Sequence, residues 1–189
     1  MKAVARSIAM VACLGSLTAC GEGTAEQTLV RSQPQPSSHG GFPQTATYLL
    51  DGEPIELVGG YFDRPVAPGS SRLERVWVQE GSAVRGDLDG DQDEDVALIL
   101  VHDPGGSGTF SYLAVAVQAQ GGYQGSNALF LGDRITSPMI SVHDGKISAR
   151  FLDRPVAAPY GDPPTHDCLV EASLIGFHLT PSSSACLEP

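Results

Sequence analysis

From residue 45 onward, short apolar runs alternate with turn-forming clusters, the pattern of a strand-rich domain. Tyr48-Leu49-Leu50 and residues 55–58 flank Asp51-Gly52, which predicts a hairpin because Asp-Gly tolerates positive φ in a two-residue turn. Residues 73–79 predict a third strand centred on Val76, Trp77 and Val78. Residues 96–101 form an unbroken aliphatic run, as in a strand buried on both faces. The connection Asp103-Pro104-Gly105-Gly106-Ser107-Gly108 leads to a second core strand over residues 110–117. Residues 139–142 and 147–151, joined through Asp144-Gly145, predict another hairpin, and residues 168–179 close the series. No stretch carries helix-length i, i+3, i+4 periodicity. The expected fold is mainly β: one compact antiparallel domain over residues 44–180, sandwich or barrel-like, with long loops and at most one short helix. Phe62-Asp63-Arg64-Pro65-Val66-Ala67 and Leu152-Asp153-Arg154-Pro155-Val156-Ala157 share a pentapeptide, but their flanks differ. They read as two strand ends leaving into Pro-stiffened loops rather than as a duplication.

The N-terminus follows a different rule. Lys2 and Arg6 precede an apolar stretch over residues 7–19, too short for a permanent span, which needs about 20 residues. Basic-then-apolar is the order of a secretory signal. It ends in Leu17-Thr18-Ala19-Cys20, which resembles the lipobox of bacterial lipoproteins. That resemblance implies removal of residues 1–19, diacylglycerol on the Cys20 thiol and a further acyl chain, such as palmitate, on its amine. Two or three chains exceed the single chain that gives only marginal membrane binding. The alternative is an ordinary signal peptide cut near Gly23-Thr24-Ala25, since Leu17 is too large for ordinary cleavage after Ala19. Residue 21 is Gly, not the Asp that retains many enterobacterial lipoproteins in the inner membrane. Lipid anchoring in the cell envelope, at the outer membrane, is the expectation. Residues 20–43 are rich in Gly, Ser, Gln, Thr and Pro and read as a flexible tether reaching roughly 25 Å.

Charge narrows the partners. The chain of 189 residues carries 11 Lys+Arg against 22 Asp+Glu, a formal charge of -11. Such a surface repels phosphate backbones, so nucleic acid is excluded. Hydrophobic content of 41% is sufficient for a buried core, and Gly 22 with Pro 14 favours turns and strands over long helices. Of the four Cys, Cys13 leaves with the signal and Cys20 becomes the anchor. Export then leaves Cys168 and Cys186 to pair in an oxidising compartment, with two free thiols as the alternative. The bridge would contribute about 3 kcal/mol in the chain-entropy model and pin residues 181–189, a tail that looks disordered by composition. His166 and His178 lie near these cysteines, but their spacing matches no zinc motif.

One constellation carries chemistry. Residues 87–95, Asp87-Leu88-Asp89-Gly90-Asp91-Gln92-Asp93-Glu94-Asp95, pack six acidic groups into nine positions. Two unit charges about 4 Å apart repel by about 1 kcal/mol even in water, so a loop holding several needs a compensating cation or an extended, solvated shape. Aspartates at relative positions 1, 3, 5 and 9 suit calcium, which takes six to eight hard oxygens. Asp87, Asp89, Asp91 and Asp95 fill those slots, and the carbonyl of Asp93 takes position 7. The pattern resembles the calcium loops of FG-GAP repeats and dockerins. An EF-hand is rejected, because Gln92 and Leu98 stand where it needs Gly and Glu. The competing reading is a solvated acidic turn leading into the strand at Val96.

Catalytic readings are weaker. Ser107 lies in Gly105-Gly106-Ser107-Gly108-Thr109, which lacks the final Gly of a nucleophile elbow and joins two strands instead of a strand and a helix. His102 and Asp103 are strand neighbours and point to opposite faces. Asp133 and Arg134 read as an ion pair before a ligand clamp. Trp77, Tyr112, Tyr123 and Phe130 fit core packing as well as a recognition surface. Gly86-Asp87-Leu88 through Asp95-Val96-Ala97, with Gly105 to Phe110 and Phe130-Leu131-Gly132-Asp133-Arg134-Ile135, resembles a group of small bacterial lipoproteins or exported proteins sharing this motif order. The resemblance covers roughly residues 45–155 and implies compartment and single-domain architecture, with no catalytic residues. The leading expectation is a non-enzymatic envelope module that binds another envelope protein or a polysaccharide, with structural calcium. The alternatives are an envelope hydrolase using Ser107 or a loop-held metal, and a proteinaceous inhibitor of a hydrolase.

Overall fold

The computed structural model describes residues 43–155, 158–159 and 161–187. The signal segment, Cys20 and the tether up to residue 42 lie outside the described residues. Among the described residues the only helical element is a 3-10 turn at Pro43–Thr45; the rest is strand and connection.

Thr47–Leu50 (β1) and Glu53–Glu56 (β2) form the first hairpin, turning through Asp51 and Gly52 with φ of 50° and 86°. This is the left-handed pair that Asp-Gly was expected to supply. Tyr61–Pro65 (β3), Leu73–Val78 (β4), Val84–Gly86 (β5), Asp95–Asp103 (β6), Phe110–Ala119 (β7), Gly122–Gly125 (β8) and Leu129–Asp133 (β9) make a seven-stranded antiparallel sheet. Its registers place β4 and β5 end to end along one side of β6. β8 and β9 lie end to end along the far side of β7. Thr136–His143 (β10), Lys146–Asp153 (β11), His166–Ile175 (β12) and His178–Leu187 (β13) form a separate four-stranded meander.

The aliphatic run explains the layering. β6 and β7 alternate between two hydrophobic clusters, so every residue from Val96 to Val101 is buried. Ala97, Ile99, Val101, Leu113 and Val115 pack with Ile147, Phe151, Val170 and Leu179 of the meander. Val96, Leu98, Leu100, Tyr112 and Ala114 pack under the first hairpin through Tyr48, Leu50, Ile55 and Leu57. The hairpin can approach this closely because β8 carries Gly125, where a Cβ would sit 2.4 Å from the carbonyl oxygen of Thr47. Burial of each large aliphatic side chain contributes about 1.5–3 kcal/mol, so β6 and β7 each contribute more to the core than any other strand.

Two expectations change. Residues 168–179 are not one closing strand: β12 ends at Ile175, turns through Gly176 and Phe177, and returns as β13. The tail read as disordered is strand through Leu187, because pairing with β12 supplies the hydrogen bonds that Pro181 and three serines could not predict. The disulfide is present: Cys168 and Cys186 are directly opposed in that pair, with S–S 2.01 Å. It removes both cysteines from any Cys-His metal site. Of the shared pentapeptide, Asp63-Arg64-Pro65 end edge strand β3 and Asp153 ends β11; residues 156 and 157 lie outside the described residues.

Candidate functional site

The acidic loop connects β5 to β6, two antiparallel neighbours, and is fixed at both ends. Leu88 is buried in the cluster between the sheets. Asp95, the first residue of β6, is fully buried, and both its oxygens accept backbone bonds. Leu88 N donates to Oδ2 and Gln118 N, from β7, donates to Oδ1, each at 2.9 Å. A buried carboxylate with two charge-assisted N–H bonds stays in place, and its remaining lone pairs can serve a further partner.

Between these anchors the loop closes on its own carboxylates. Asp87 Oδ1 accepts from Gly90 N at 2.7 Å, and its Oδ2 accepts from Gln92 N at 3.2 Å. Asp89 Oδ1 accepts from Asp91 N at 3.1 Å, and Asp91 Oδ1 from Asp93 N at 2.8 Å. Gly90 and Gln92 are both left-handed, with φ of 88° and 75°. Position 6 of the loop therefore takes the conformation glycine would favour, although it is Gln.

Asp87, Asp89 and Asp95 each place a carboxylate oxygen within 4.8 Å of the others. Two oxygens bound at about 2.4 Å to one calcium ion lie at most about 4.8 Å apart, so the triad fits one coordination sphere. Asp91 and Asp93 stand outside this triad and are exposed, Asp91 serving the turn through the amide of Asp93. Asp89 is held above the ordinary carboxyl range, first by desolvation, with Asp95 and Asp91 adding repulsion against the opposing Asp91 amide. The ion pair from Arg85 goes to Glu94, not to the triad. The donor set is all hard oxygen, which suits calcium over softer metals.

A second polar network lies at the opposite end of β6, where no local spacing marks it. His102 Nε2 donates to Glu74 Oε1 at 2.8 Å, and Arg64 Nε donates to Glu74 Oε2 at 2.6 Å. Arg64 also reaches Glu53, which holds Glu53 below the usual carboxyl range and raises Arg64. His102 Nδ1 is buried without a hydrogen-bond partner among the described residues. The ring neighbours Phe110 and Tyr112, and the Tyr112 hydroxyl donates to Asp51 Oδ2 at 2.8 Å. Tyr112 is pushed above the ordinary phenol range by burial and then by Asp51.

Of Ser107, His102 and Asp103, this network holds His102 alone. No hydrogen bond among the described residues joins Ser107 to His102 or Asp103; Asp103 accepts from Gly105 N and faces Arg75 at 3.6 Å. Asp133 and Arg134 form a half-buried pair at 2.8 Å that holds Asp133 below its ordinary range, with Thr109 N donating to the same carboxylate. Register along β3, β4 and β6 brings Arg64, Glu74 and His102 together, and Glu53 reaches Arg64 from β2 of the separate hairpin; local spacing shows neither. No protein-family model, curated protein or solved structure matches this chain.

Proposed function

We propose that this chain is a lipid-anchored, non-enzymatic module of the bacterial cell envelope whose acidic loop binds structural calcium. The observation that carries the calcium reading is the convergence of Asp87, Asp89 and Asp95 on one point beside a buried strand end. Three carboxylates, one of them buried, supply more negative charge than their backbone donors offset, and a divalent cation removes the excess. The ion would join the β5–β6 loop to the central sheet through Asp95 and stiffen the surface offered to a partner. That partner is an envelope protein or a polysaccharide. Anchoring rests on the lipobox-like Leu17-Thr18-Ala19-Cys20.

The test is a thermal melt of the chain without its first twenty residues, in calcium and then in EGTA. At a hundredfold excess over Kd, a native-state ligand adds about 2.7 kcal/mol. The expected outcome is a clear rise in Tm with calcium that is lost in Asp89→Asn, which keeps the one oxygen that accepts from Asp91 N, with no drop for that variant in EGTA. Equal losses in both conditions would show a purely structural turn. For the anchor, mass spectrometry of the membrane-extracted chain should find acylated Cys20, and Cys20→Ala should release it to the soluble fraction.

A further inference from the structure

We infer that the C-terminal half of β13 is a self-association edge, where two copies of this chain pair antiparallel about a two-fold axis at Ala185. β13 is the last strand of the meander, and its two halves are treated differently. At Leu179 the Asn127 side chain takes both outward backbone groups, its Nδ2 donating to the carbonyl at 2.9 Å and its Oδ1 accepting from the amide at 2.7 Å. Pro181 has no N–H to offer, and the register shifts beside it. These are devices that keep an edge from pairing. None of them extends over residues 183–187, where no described residue pairs with the outer side of β13.

The pairing class fixes which groups face out. Cys168 and Cys186 are opposed with Cα–Cα 3.9 Å, the closely spaced kind of antiparallel pair that exchanges no backbone bonds. Cys186 and, two residues back, Ser184 therefore turn their N–H and C=O away from β12. In an antiparallel pair centred on Ala185, Ser184 of one copy meets Cys186 of the other. Each such pair exchanges two bonds, so four backbone hydrogen bonds close the contact, and both meanders join into one eight-stranded sheet. A two-fold contact of this kind is self-complementary.

Charge at this edge favours a second copy over a cationic strand. A molecule of charge -11 opposes approach of its own kind wherever acids face out, and would draw in cationic partners there. β13 carries no Asp, Glu, Lys or Arg from His178 to Leu187, so it neither repels its own image nor attracts a basic one. Ala185 and Leu187, with Leu169 and Met139, also form the apolar part of an exposed groove of about 610 Å³ on the outer face, which the Arg150–Asp167 ion pair lines as well. Joining two sheets at Ala185 makes this apolar stripe continuous across the axis.

Sedimentation equilibrium of the chain without its first twenty residues should give a mass twice the monomer's as concentration rises. Ser184→Pro removes one outward N–H and leaves the bonds to β12 intact, so it should weaken the dimer about tenfold or more with unchanged Tm. Ala185→Lys places two cations at the axis and should do the same should the proline variant not fold. Amide exchange at Ser184 and Cys186 should slow with concentration in the parent chain alone. A chain monomeric at every concentration, or a dimer that survives both variants, would overturn the inference. Neither result bears on calcium, because the loop is on another sheet.

Discussion

The two ends of β6 both carry acids, and they neutralise them by different means. At the C-terminal end each acid has a cation: Glu74 lies between Arg64 and His102, and Asp103 faces Arg75. On the strand beyond, Asp133 holds Arg134. At the N-terminal end Asp95 is held by two backbone amides, and Asp87 and Asp89 by loop amides. Amides orient a carboxylate but bring no net charge, whereas a guanidinium cancels it. Asp89 is raised, first by desolvation, while Glu53 and Asp133 are lowered, first by the hydrogen bonds from their arginines. One end of the strand is complete as folded. The other, on the proposed reading, is completed by a cation.

The largest effect expected from breaking this contrast is at Asp95. Asp95→Ala strands the amides of Leu88 and Gln118, each costing about 1–3 kcal/mol when left unpaired in the interior. Denaturant unfolding should show a loss of about 3 kcal/mol in EGTA, and a larger one in calcium. A loss confined to calcium would mean that Asp95 is only a ligand and that the amides find water. At the opposite end, Glu74→Gln should cost about 1–2 kcal/mol, identically in calcium and EGTA, because it leaves Arg64 and His102 without their shared anion.

Those two residues also mark what could be read from the sequence. The acidic cluster is visible because its members are neighbours, and the aliphatic run over residues 96–101 announces β6 without any knowledge of its partners. That Asp95 joins the triad from a buried position depends on Gln118 of β7, which local spacing does not contain. The Glu74 network likewise exists only after β3, β4 and β6 fall into register. Short strands such as β5 and β8 carry too few apolar residues to show alternation. β13 looks like a linker because its serines are held by pairing and by the disulfide, not by a hydrophobic face.

The pH dependence sharpens the comparison at lower amplitude. A carboxyl raised in the folded state gives stability that is present below the unfolded value, about 3.9 for Asp, and lost as pH rises through the folded value. Glu53 and Asp133 behave oppositely, their contribution being lost as pH falls through their lowered values. In EGTA, Asp89→Asn should therefore gain on the parent chain as pH rises from about 4 toward neutrality. In calcium the sign should reverse, because the ion requires the ionised carboxylate. Unfolding curves at several pH values, with and without calcium, read both signs directly. The same sign in both would remove calcium from the account.

The smallest effect separates backbone strain from side-chain work. Gln92 at the acidic end and Arg134 at the compensated end are both left-handed, with φ of 75° and 55°. A non-glycine residue there gives up roughly 1–2 kcal/mol, while glycine loses more chain entropy on folding, by roughly 0.5–1 kcal/mol. Glycine should thus gain a few tenths to about 1 kcal/mol wherever the replaced side chain does nothing. The Gln92 side chain makes no hydrogen bond among the described residues, whereas Arg134 donates twice to Asp133. Gln92→Gly should therefore stabilise the domain in calcium and in EGTA alike. Arg134→Gly should destabilise it despite the same relief, since it removes the arginine that hydrogen-bonds the half-buried Asp133 carboxylate and leaves Arg154 as its remaining cationic neighbour. If both variants gain stability, the arginine end is not electrostatically completed, and the contrast between the two ends of β6 fails.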